Sequence, residues 1–391
     1  MQVEAASLKS PNSKESPETF KDLFNSPAFL NTSTRTSIGN SQDTLGRSRL
    51  SSNPPNFRLF EDKEASLAIT LNQDYFIAGD KVQADIWVHI PKKIGKCELF
   101  FFTEGFEEIR VFESLKLSAK NRQKIYSLSM MIRSWEEIEG NTYKIPVMFK
   151  LPAYCPSSFL FSGMDLQNKF YKAEISYFLS CKFVSETFHT TSTSILPVRS
   201  MRSLSLPGAP KEFVERLTSF CCFKSGSTIF KIEVLNYVNC LVDEIFQYKV
   251  WVNNLRCKKG IYRIVSRVVR KMSFLVAKQD NRIENRLEEV ERDVKIDAFS
   301  NDWEDEEMQK FQHCIKSSTE EKNACSTQGN YISCHYSIEL LVFYTNSRGH
   351  SISIVFDFYV NPINDIIKDE NEEIEEISYE EHPAINIFAD L

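Results

Sequence analysis

The chain has 391 residues, and its 53 acidic and 47 basic side chains give a formal net charge of −6. Apolar residues make up 42% of the chain, which suffices for a folded core and excludes a wholly disordered protein. The mild acidity argues against nucleic acid as a partner, and no apolar run is long enough for a membrane-spanning helix. Scattered cysteines and an N-terminus without an apolar core predict a reduced, cytoplasmic protein.

Charge is unevenly distributed along the chain. Residues 1–55 are rich in Ser, Thr, Asn and Pro, and we expect them to form a disordered tail. Residues 364–391 form an acidic tail, in which residues 365–391 hold ten acidic side chains and one lysine, a net charge of −9. The remainder of the chain therefore sums to about +3.

Alternation of apolar and polar residues predicts short strands between residues 56 and 200. Ser66–Leu71 and Lys81–Ile90 alternate with a period of two, and Ala78-Gly79-Asp80 supplies a turn between them. Further strands are predicted at Cys97–Phe102, Ile145–Lys150, Lys172–Val184 and Phe188–Val198. Short strands at these spacings are typical of a β-sandwich.

A second series of strands is predicted within residues 221–363, after a linker at residues 201–220. These strands are Ser227–Leu235, Ile245–Asn253, Ile261–Val276, Tyr331–Tyr344 and Ser351–Val360. The two series resemble each other at an offset near 160 residues, because the Ile175–Cys181 pattern recurs at Cys334–Leu340. A repeat of this length predicts two copies of one domain.

Residues 280–329 interrupt the second copy and are predicted to be an insertion on its surface. The part from Asp280 to Glu307 has twelve acidic residues against four basic ones. It is compatible with a long acidic loop or with a solvated helix. In the helical interpretation, Ile283, Leu287, Val290 and Val294 share one face.

Five motifs in the first half occur in the order and spacing of a known family. They are Asp74–Val82, Phe102–Glu107, Tyr143–Pro152, Pro156–Phe159 and Ile175–Tyr177. Together they resemble the N-terminal domain of arrestins, and the second half is similar to an arrestin C-terminal domain. Cys221-Cys222 and Cys334–Ile338 resemble the alpha-arrestin branch of that family.

The resemblance implies an all-β fold of two tandem immunoglobulin-like β-sandwiches, at residues 56–200 and 221–363. It also implies a non-enzymatic adaptor that holds cytoplasmic segments of membrane proteins and brings trafficking machinery to them. Such a protein is recruited peripherally to the plasma membrane or to endosomes. Many alpha-arrestins bind WW domains through PPxY motifs, but here Pro54-Pro55-Asn56-Phe57 lacks the tyrosine, so ubiquitin-ligase recruitment through this motif is not predicted.

No catalytic, metal or cofactor motif is expected to act in this chain. The sequence has no GxSxG elbow, P-loop, HExxH or GxGxxG motif. Cys155 lies between two prolines without a base nearby in sequence, so it is a poor candidate nucleophile. We therefore expect neither an enzyme nor a bound cofactor.

Two groups of basic residues are candidate contacts for phosphate or for an anionic membrane. Lys92, Lys93 and Lys96 lie in a predicted turn, and Arg263, Arg267 and Lys271 lie on one face of a predicted strand. The alternative is that each group belongs to the outer face of a sandwich, with the acidic insertion as its neutralising neighbour.

The acidic tail ends in apolar residues, among them Ile385, Ile387 and Phe388. A segment that is first acidic and then apolar can add a strand to a sheet edge or dock in a basic groove. By analogy with visual and beta-arrestins, it is a candidate autoinhibitory tail that competes with cargo. Two further alternatives remain, a retromer-type endosomal sorting subunit of the same fold and a peripheral module that binds anionic lipids.

Overall fold

The computed structural model describes the chain at residues 65–113, 116–165, 167–200, 210–219, 223–235, 239–241, 245–300, 310–316, 324–345, 351–361 and 379–387. Within these ranges the protein is all-β, which confirms the all-β part of the predicted fold. In the same ranges, no helix is long and apolar enough to cross a membrane. Outside the described residues lie the predicted N-terminal tail, residues 201–209 and 220 of the predicted linker, Cys221-Cys222 and Phe388. The rest of the predicted linker is not a linker, because Lys211–Ser219 is a strand that pairs with Phe223–Val234.

The strands before residue 200 form three sheets. They are β1 (Ser66–Leu71), β2 (Phe76–Ile77), β3 (Lys81–Ile90), β4 (Cys97–Glu113), β5 (Lys116–Trp135), β6 (Asn141–Lys150), β7 (Phe159–Met164), β8 (Phe170–Ser185), β9 (His189–Ile195) and β10 (Val198–Arg199). One sheet has the order β1-β3-β6, a second has β5-β4-β8-β7 with β9 on β8, and β2 pairs with β10.

The strands from residue 211 to residue 361 form two further sheets. They are β11 (Lys211–Ser219), β12 (Phe223–Val234), β13 (Asn239–Leu241), β14 (Ile245–Cys257), β15 (Ile261–Val276), β16 (Gln279–Ile296), β17 (Lys310–Cys314), β18 (Thr327–Gln328), β19 (Ile332–Tyr344) and β20 (Ser351–Asn361). The sheets have the orders β11-β12-β14-β17 and β13-β20-β19-β15-β16, with β18 on β19.

Two short strands near the C-terminus, β21 (Glu380–Glu381) and β22 (Ile385–Ile387), join a sheet of the first half. Every other described sheet takes its strands from one half of the chain. The alternation recognised in the sequence explains this packing. In β3, for example, Ala84, Ile86 and Val88 point into the core and are fully buried.

The prediction of a loop or a helix for Asp280–Glu307 is wrong as far as Ile296, and so is the helical interpretation of Asn281–Val294. This part lies within strand β16 and pairs antiparallel with β15 along its length. A register shift lets Val268 and Val269 face Glu288 and Arg286, so Leu287 is an extra residue in β16. Such a bulge shifts which positions of the strand face the core. The four apolar residues therefore keep facing the core at spacings that imitate a helix.

The described residues of the two halves belong to one compact unit and touch through buried aromatic rings. Phe274 of β15 stacks on Phe161 of β7 and on Tyr171 of β8, with ring centroids 5.6 and 5.4 Å apart. The Arg270 guanidinium lies over the Phe161 ring at 5.5 Å. Aromatic contacts of this kind stabilise an interface beyond the area that they bury.

Candidate functional site

The edge of strand β6 is the feature of the fold that most resembles a binding site. On one side, β6 pairs antiparallel with β3 along its whole length. On the other side, it receives residues from the far C-terminus in parallel orientation. Exposed strand edges offer unpaired N–H and C=O groups, which makes them templates for an added strand. Here the chain supplies that strand itself.

The C-terminal segment 379–387, called the docked segment below, contacts β6 in two steps. Glu381 faces Lys144 and Ile385 faces Val147, so four residues of the segment advance against three of β6. Pro383, which has no N–H to donate, lies in this gap. Pro146 of β6 lies opposite the same gap, as expected for a proline in an edge strand.

The first part of the docked segment carries acidic side chains to a lysine on the outer face of the sheet. Lys144 Nζ lies 3.2 Å from a Glu381 oxygen and 3.5 Å from an oxygen of Asp85 on β3. Burial opposes the charge of Lys144, but the two carboxylates outweigh it and raise the pKa of its ammonium. Lys144 therefore remains a cation that can bind an acidic residue of a docked strand.

Trp87 belongs to the sheet surface on which the docked segment lies. Its side chain is on the outer face of β3, between the core-facing Ile86 and Val88, and yet it has no exposed surface. The Tyr379 ring packs edge-on against it, with centroids 5.1 Å apart. A buried tryptophan on an outer face indicates a surface built to be covered.

His382 anchors the middle of the docked segment. Its backbone N–H donates to the Lys144 carbonyl at 2.9 Å, and its ring stacks on Tyr143 at 5.5 Å. The Arg133 guanidinium of β5 lies 3.1 Å from the His382 Nδ1. Burial and the neighbouring guanidinium lower the pKa of His382, while Glu380 opposes this change.

The last described part of the segment is apolar. Ile387 is 4% exposed and belongs to the hydrophobic core, and Ile385 is half-buried against it. Burial of Ile387 alone contributes about 1.5–3 kcal/mol to docking. Asn386, between the two isoleucines, is exposed, as the alternation of a strand requires. The structure thus places two of the three predicted tail residues, Ile385 and Ile387, at the sheet edge.

A second polar contact joins the two halves of the chain. The Glu107 carboxylate of β4 is buried and accepts backbone N–H bonds from Ile332, Tyr331 and Asn330 at 2.7, 2.8 and 3.1 Å. Burial raises the pKa of Glu107, and these hydrogen bonds partly offset the rise. Gly329 allows the approach, because a Cβ there would lie 2.2 Å from a Glu107 oxygen.

The predicted cationic groups lie elsewhere, and part of each is paired with acids. Lys93 lies 2.7 and 2.8 Å from oxygens of Glu137 and Glu139, whereas Lys92 and Lys96 are exposed. Pairing of this kind, between exposed side chains, holds the local turn only weakly.

The second cationic group faces the acidic strand β16. Arg263 donates to Glu291 at 3.0 Å, Arg267 donates to Glu289, and Lys271 is in register with Glu284. The segment that the sequence marked as an acidic insertion is therefore the neutralising neighbour of this group, as the alternative interpretation held.

The described residues include one set of contacts of the Ser-His-carboxylate kind, which runs from Ser266 through His313 to Glu288. Among all the described residues, no cluster of three His, Cys, Asp or Glu side chains could hold a metal. Burial raises the pKa of the Cys155 thiol to about 12, which leaves it protonated and unreactive. Ser266 lies within hydrogen-bond distance of His313, but both side chains are buried and closed to a substrate.

Sequence reasoning missed most residues that hold the docked segment. Trp87 lies inside a predicted strand and Lys144 directly before one, but nothing in their spacing tied them to the C-terminus. Arg133 lies in β5, a strand that was not predicted. His382 follows two glutamates in the predicted acidic tail, where nothing distinguished it as a contact residue. Pro146 was the one available signal, because a proline inside a strand indicates a sheet edge.

Comparison with known proteins does not assign the chain to a family. No family model matches the chain. No curated protein matches it either.

Proposed function

We propose that the chain is a non-enzymatic adaptor of the arrestin type, which binds extended cytoplasmic segments of membrane proteins at the edge of β6. The docking of residues 379–387 on that edge carries the proposal, because it demonstrates that the edge accepts an added strand. The docked segment is then an internal competitor, which a cargo segment must displace.

The five motifs of the first half and the all-β fold support this proposal. In it, residues 56–200 and 221–363 are tandem β-sandwiches, flanked by a disordered N-terminal tail and an acidic C-terminal tail. The protein acts in the cytoplasm, is recruited peripherally to the plasma membrane or endosomes, and brings trafficking machinery to its cargo. It needs no cofactor for this role.

The lipid-binding alternative has less support. Arg263 and Arg267 bind acidic side chains of β16, so little of their charge remains for an anionic membrane. Flotation with anionic vesicles tests the point, using a variant in which Arg263, Arg267 and Lys271 become glutamate. We expect the variant and the wild type to behave alike, whereas loss of flotation in the variant alone would favour the lipid module.

The second candidate is a retromer-type sorting subunit, which would carry out a related adaptor function. It differs in its assembly state, because such a subunit is a permanent member of a complex. Purification of the chain from its own cell distinguishes the two. A stable heteromer with a large helical partner would favour the sorting subunit, and a chain without one would favour the adaptor.

The proposal is tested by proximity labelling with the full chain in its own cell. Ile387→Asp places a charge in the core contact and is expected to release the docked segment. Asn386→Asp adds the same charge at the exposed neighbouring position and serves as the matched control. We expect Ile387→Asp to increase the labelling of membrane proteins with cytoplasmic segments. Equal labelling by both variants and the wild type would refute displacement of the segment by cargo.

A further inference from the structure

A cavity of about 630 Å³ lies where the two halves of the chain meet. The first half supplies the loop after β6 and Ser200, and the second half supplies residues of β18, β19 and β20. A cavity of this size suits a small molecule or one side chain of a partner. The polar side chains that line it include Tyr154, Ser200, Gln328, His335, Asp357 and Tyr359.

Hydrogen bonds between the halves hold one side of the cavity in place. The Tyr359 hydroxyl lies 2.7 Å from Ser200 Oγ and 3.2 Å from Ser157 Oγ. The Thr327 hydroxyl donates to the Ser157 carbonyl at 3.1 Å, and both of these residues are buried. Walls that are fixed before a ligand arrives reduce the entropy that binding costs.

Three polar side chains line the cavity from one face of the sheet that contains β18, β19 and β20. Asp357 is in register with Ser337, and His335 precedes Ser337 by two residues. Gln328 is in register with Ser333, which in turn precedes His335 by two residues. Because side chains alternate along a strand, Asp357, His335 and Gln328 share that face. Their side chains form no hydrogen bond or ion pair with another described residue, so they are available to a ligand.

The charge of the lining favours a cation. Asp357 is the one carboxylate among the described lining residues, and none of those residues is a lysine or an arginine. An anionic ligand would meet this carboxylate with only His335 as a basic neighbour. Lys271 is in register with His335, but it is not part of the lining and is in register with Glu284 on its other side.

Tyr154 contributes an uncovered aromatic ring to the lining, because this residue is 65% exposed. The face of such a ring attracts cations, and a planar guanidinium stacks on it while donating several hydrogen bonds. A carboxylate accepts two of these bonds in parallel. We propose that the cavity binds a guanidinium group, with Tyr154 against its plane, Asp357 as its anionic partner and Gln328 as a neutral acceptor.

This inference goes beyond the proposed function, because the site uses none of the residues that hold the docked segment on β6. Two sources carry the required group, an arginine side chain of a partner protein and a free guanidinium compound. Either one would contact both halves of the chain at once, since the walls of the cavity come from both.

Ligand-observed NMR with the full chain measures the affinity for three probes. They are N-acetyl-arginine amide, N-acetyl-citrulline amide and butylguanidinium. Citrulline keeps the shape of arginine and lacks its charge, so we expect the arginine probe to bind about fivefold more tightly. Tighter binding of the arginine probe than of butylguanidinium identifies a partner's side chain as the source, and equal binding of the two identifies a free compound.

Variants of the chain assign the binding to single side chains. Asp357→Asn should reduce the affinity for the arginine probe about fivefold. Glu339→Gln, which removes a carboxylate from the same sheet face outside the cavity, should preserve it. Tyr154→Leu should weaken binding, whereas Tyr154→Phe retains the ring and should bind as the wild type does.

Three results would overturn the inference. The first is equal binding of the arginine and citrulline probes. The second is that neither cationic probe binds the folded chain. The third is an equal effect of Asp357→Asn and Glu339→Gln, because binding would then follow the charge of the whole surface and not the cavity.

Discussion

Replacement of Glu107 by alanine should weaken the contact between the two halves of the chain more than any surface change nearby. The substitution removes the acceptor of three backbone N–H bonds and of one bond from Gln123 at 3.2 Å. The Ile332 N–H is fully buried, and its loss of a partner costs about 1–3 kcal/mol. With the two partly buried bonds, the expected loss is about 3–5 kcal/mol of unfolding free energy.

Urea unfolding of the full chain measures this loss, with Glu108→Ala as the matched control. Glu108 is the next residue of β4 but points to the opposite face, where Arg110, Lys120 and Arg122 surround it. Its removal should cost about 1 kcal/mol or less, because partly exposed ion pairs contribute little. Glu107→Gln keeps a carbonyl acceptor and should lie between the two. An equal loss in Glu107→Ala and Glu108→Ala would show that the buried carboxylate does not hold the halves together.

Three further outcomes follow from local geometry. Docking lowers the pKa of His382, so the undocked segment binds more protons as the pH falls below about 6.5, and docking should weaken there. Proteolysis of the segment should therefore be faster at pH 5.5 than at pH 7.5 in the wild type, and this difference should be much smaller in His382→Gln. Gly226→Ala should lose about 3 kcal/mol or more in urea unfolding, because Gly226 has φ +113° and a Cβ would lie 2.0 Å from the Arg256 carbonyl oxygen. Arg267→Ala should change the same free energy by less than about 1 kcal/mol, and a larger loss would mean that its pairing with Glu289 is structural.

Period-two alternation was sufficient to predict much of the sheet structure. The predicted strands at Ser66–Leu71, Lys81–Ile90 and Ile261–Val276 have the observed bounds, because each has one buried face and clear turn residues at its ends. The rule works where burial alone decides which side chains point inward.

The rule failed where the strand was polar or irregular. The first half of strand β5, Lys116–Trp135, is mostly polar, and only its second half has an alternating apolar face, at Tyr126, Leu128, Met130 and Ile132. In β16, the bulge at Leu287 changes the phase of the alternation, and four apolar residues at spacings of three and four then imitate a helix. Both strands are held by pairing with long neighbours, which a single sequence does not reveal.

The candidate site was predicted only in part. The acidic-then-apolar composition of the tail indicated a segment able to add to a sheet edge, and Ile385 and Ile387 do so. Its receptor comes from β3, β5 and β6, so its residues are far apart in sequence. Trp87, Arg133 and Lys144 meet only in the folded state, and no local pattern brings them together.

Hydrogen exchange at the backbone amides of β6 tests the central claim most directly, because the docked segment pairs with that edge. The full wild-type chain is compared with Ile387→Asp and with the control Asn386→Asp. We predict faster exchange between Tyr143 and Phe149 in Ile387→Asp, with wild-type protection in Asn386→Asp and unchanged protection in β15 of all three chains. Equal protection of β6 in Ile387→Asp and the wild type would contradict the account, because the edge would then not depend on the C-terminal segment.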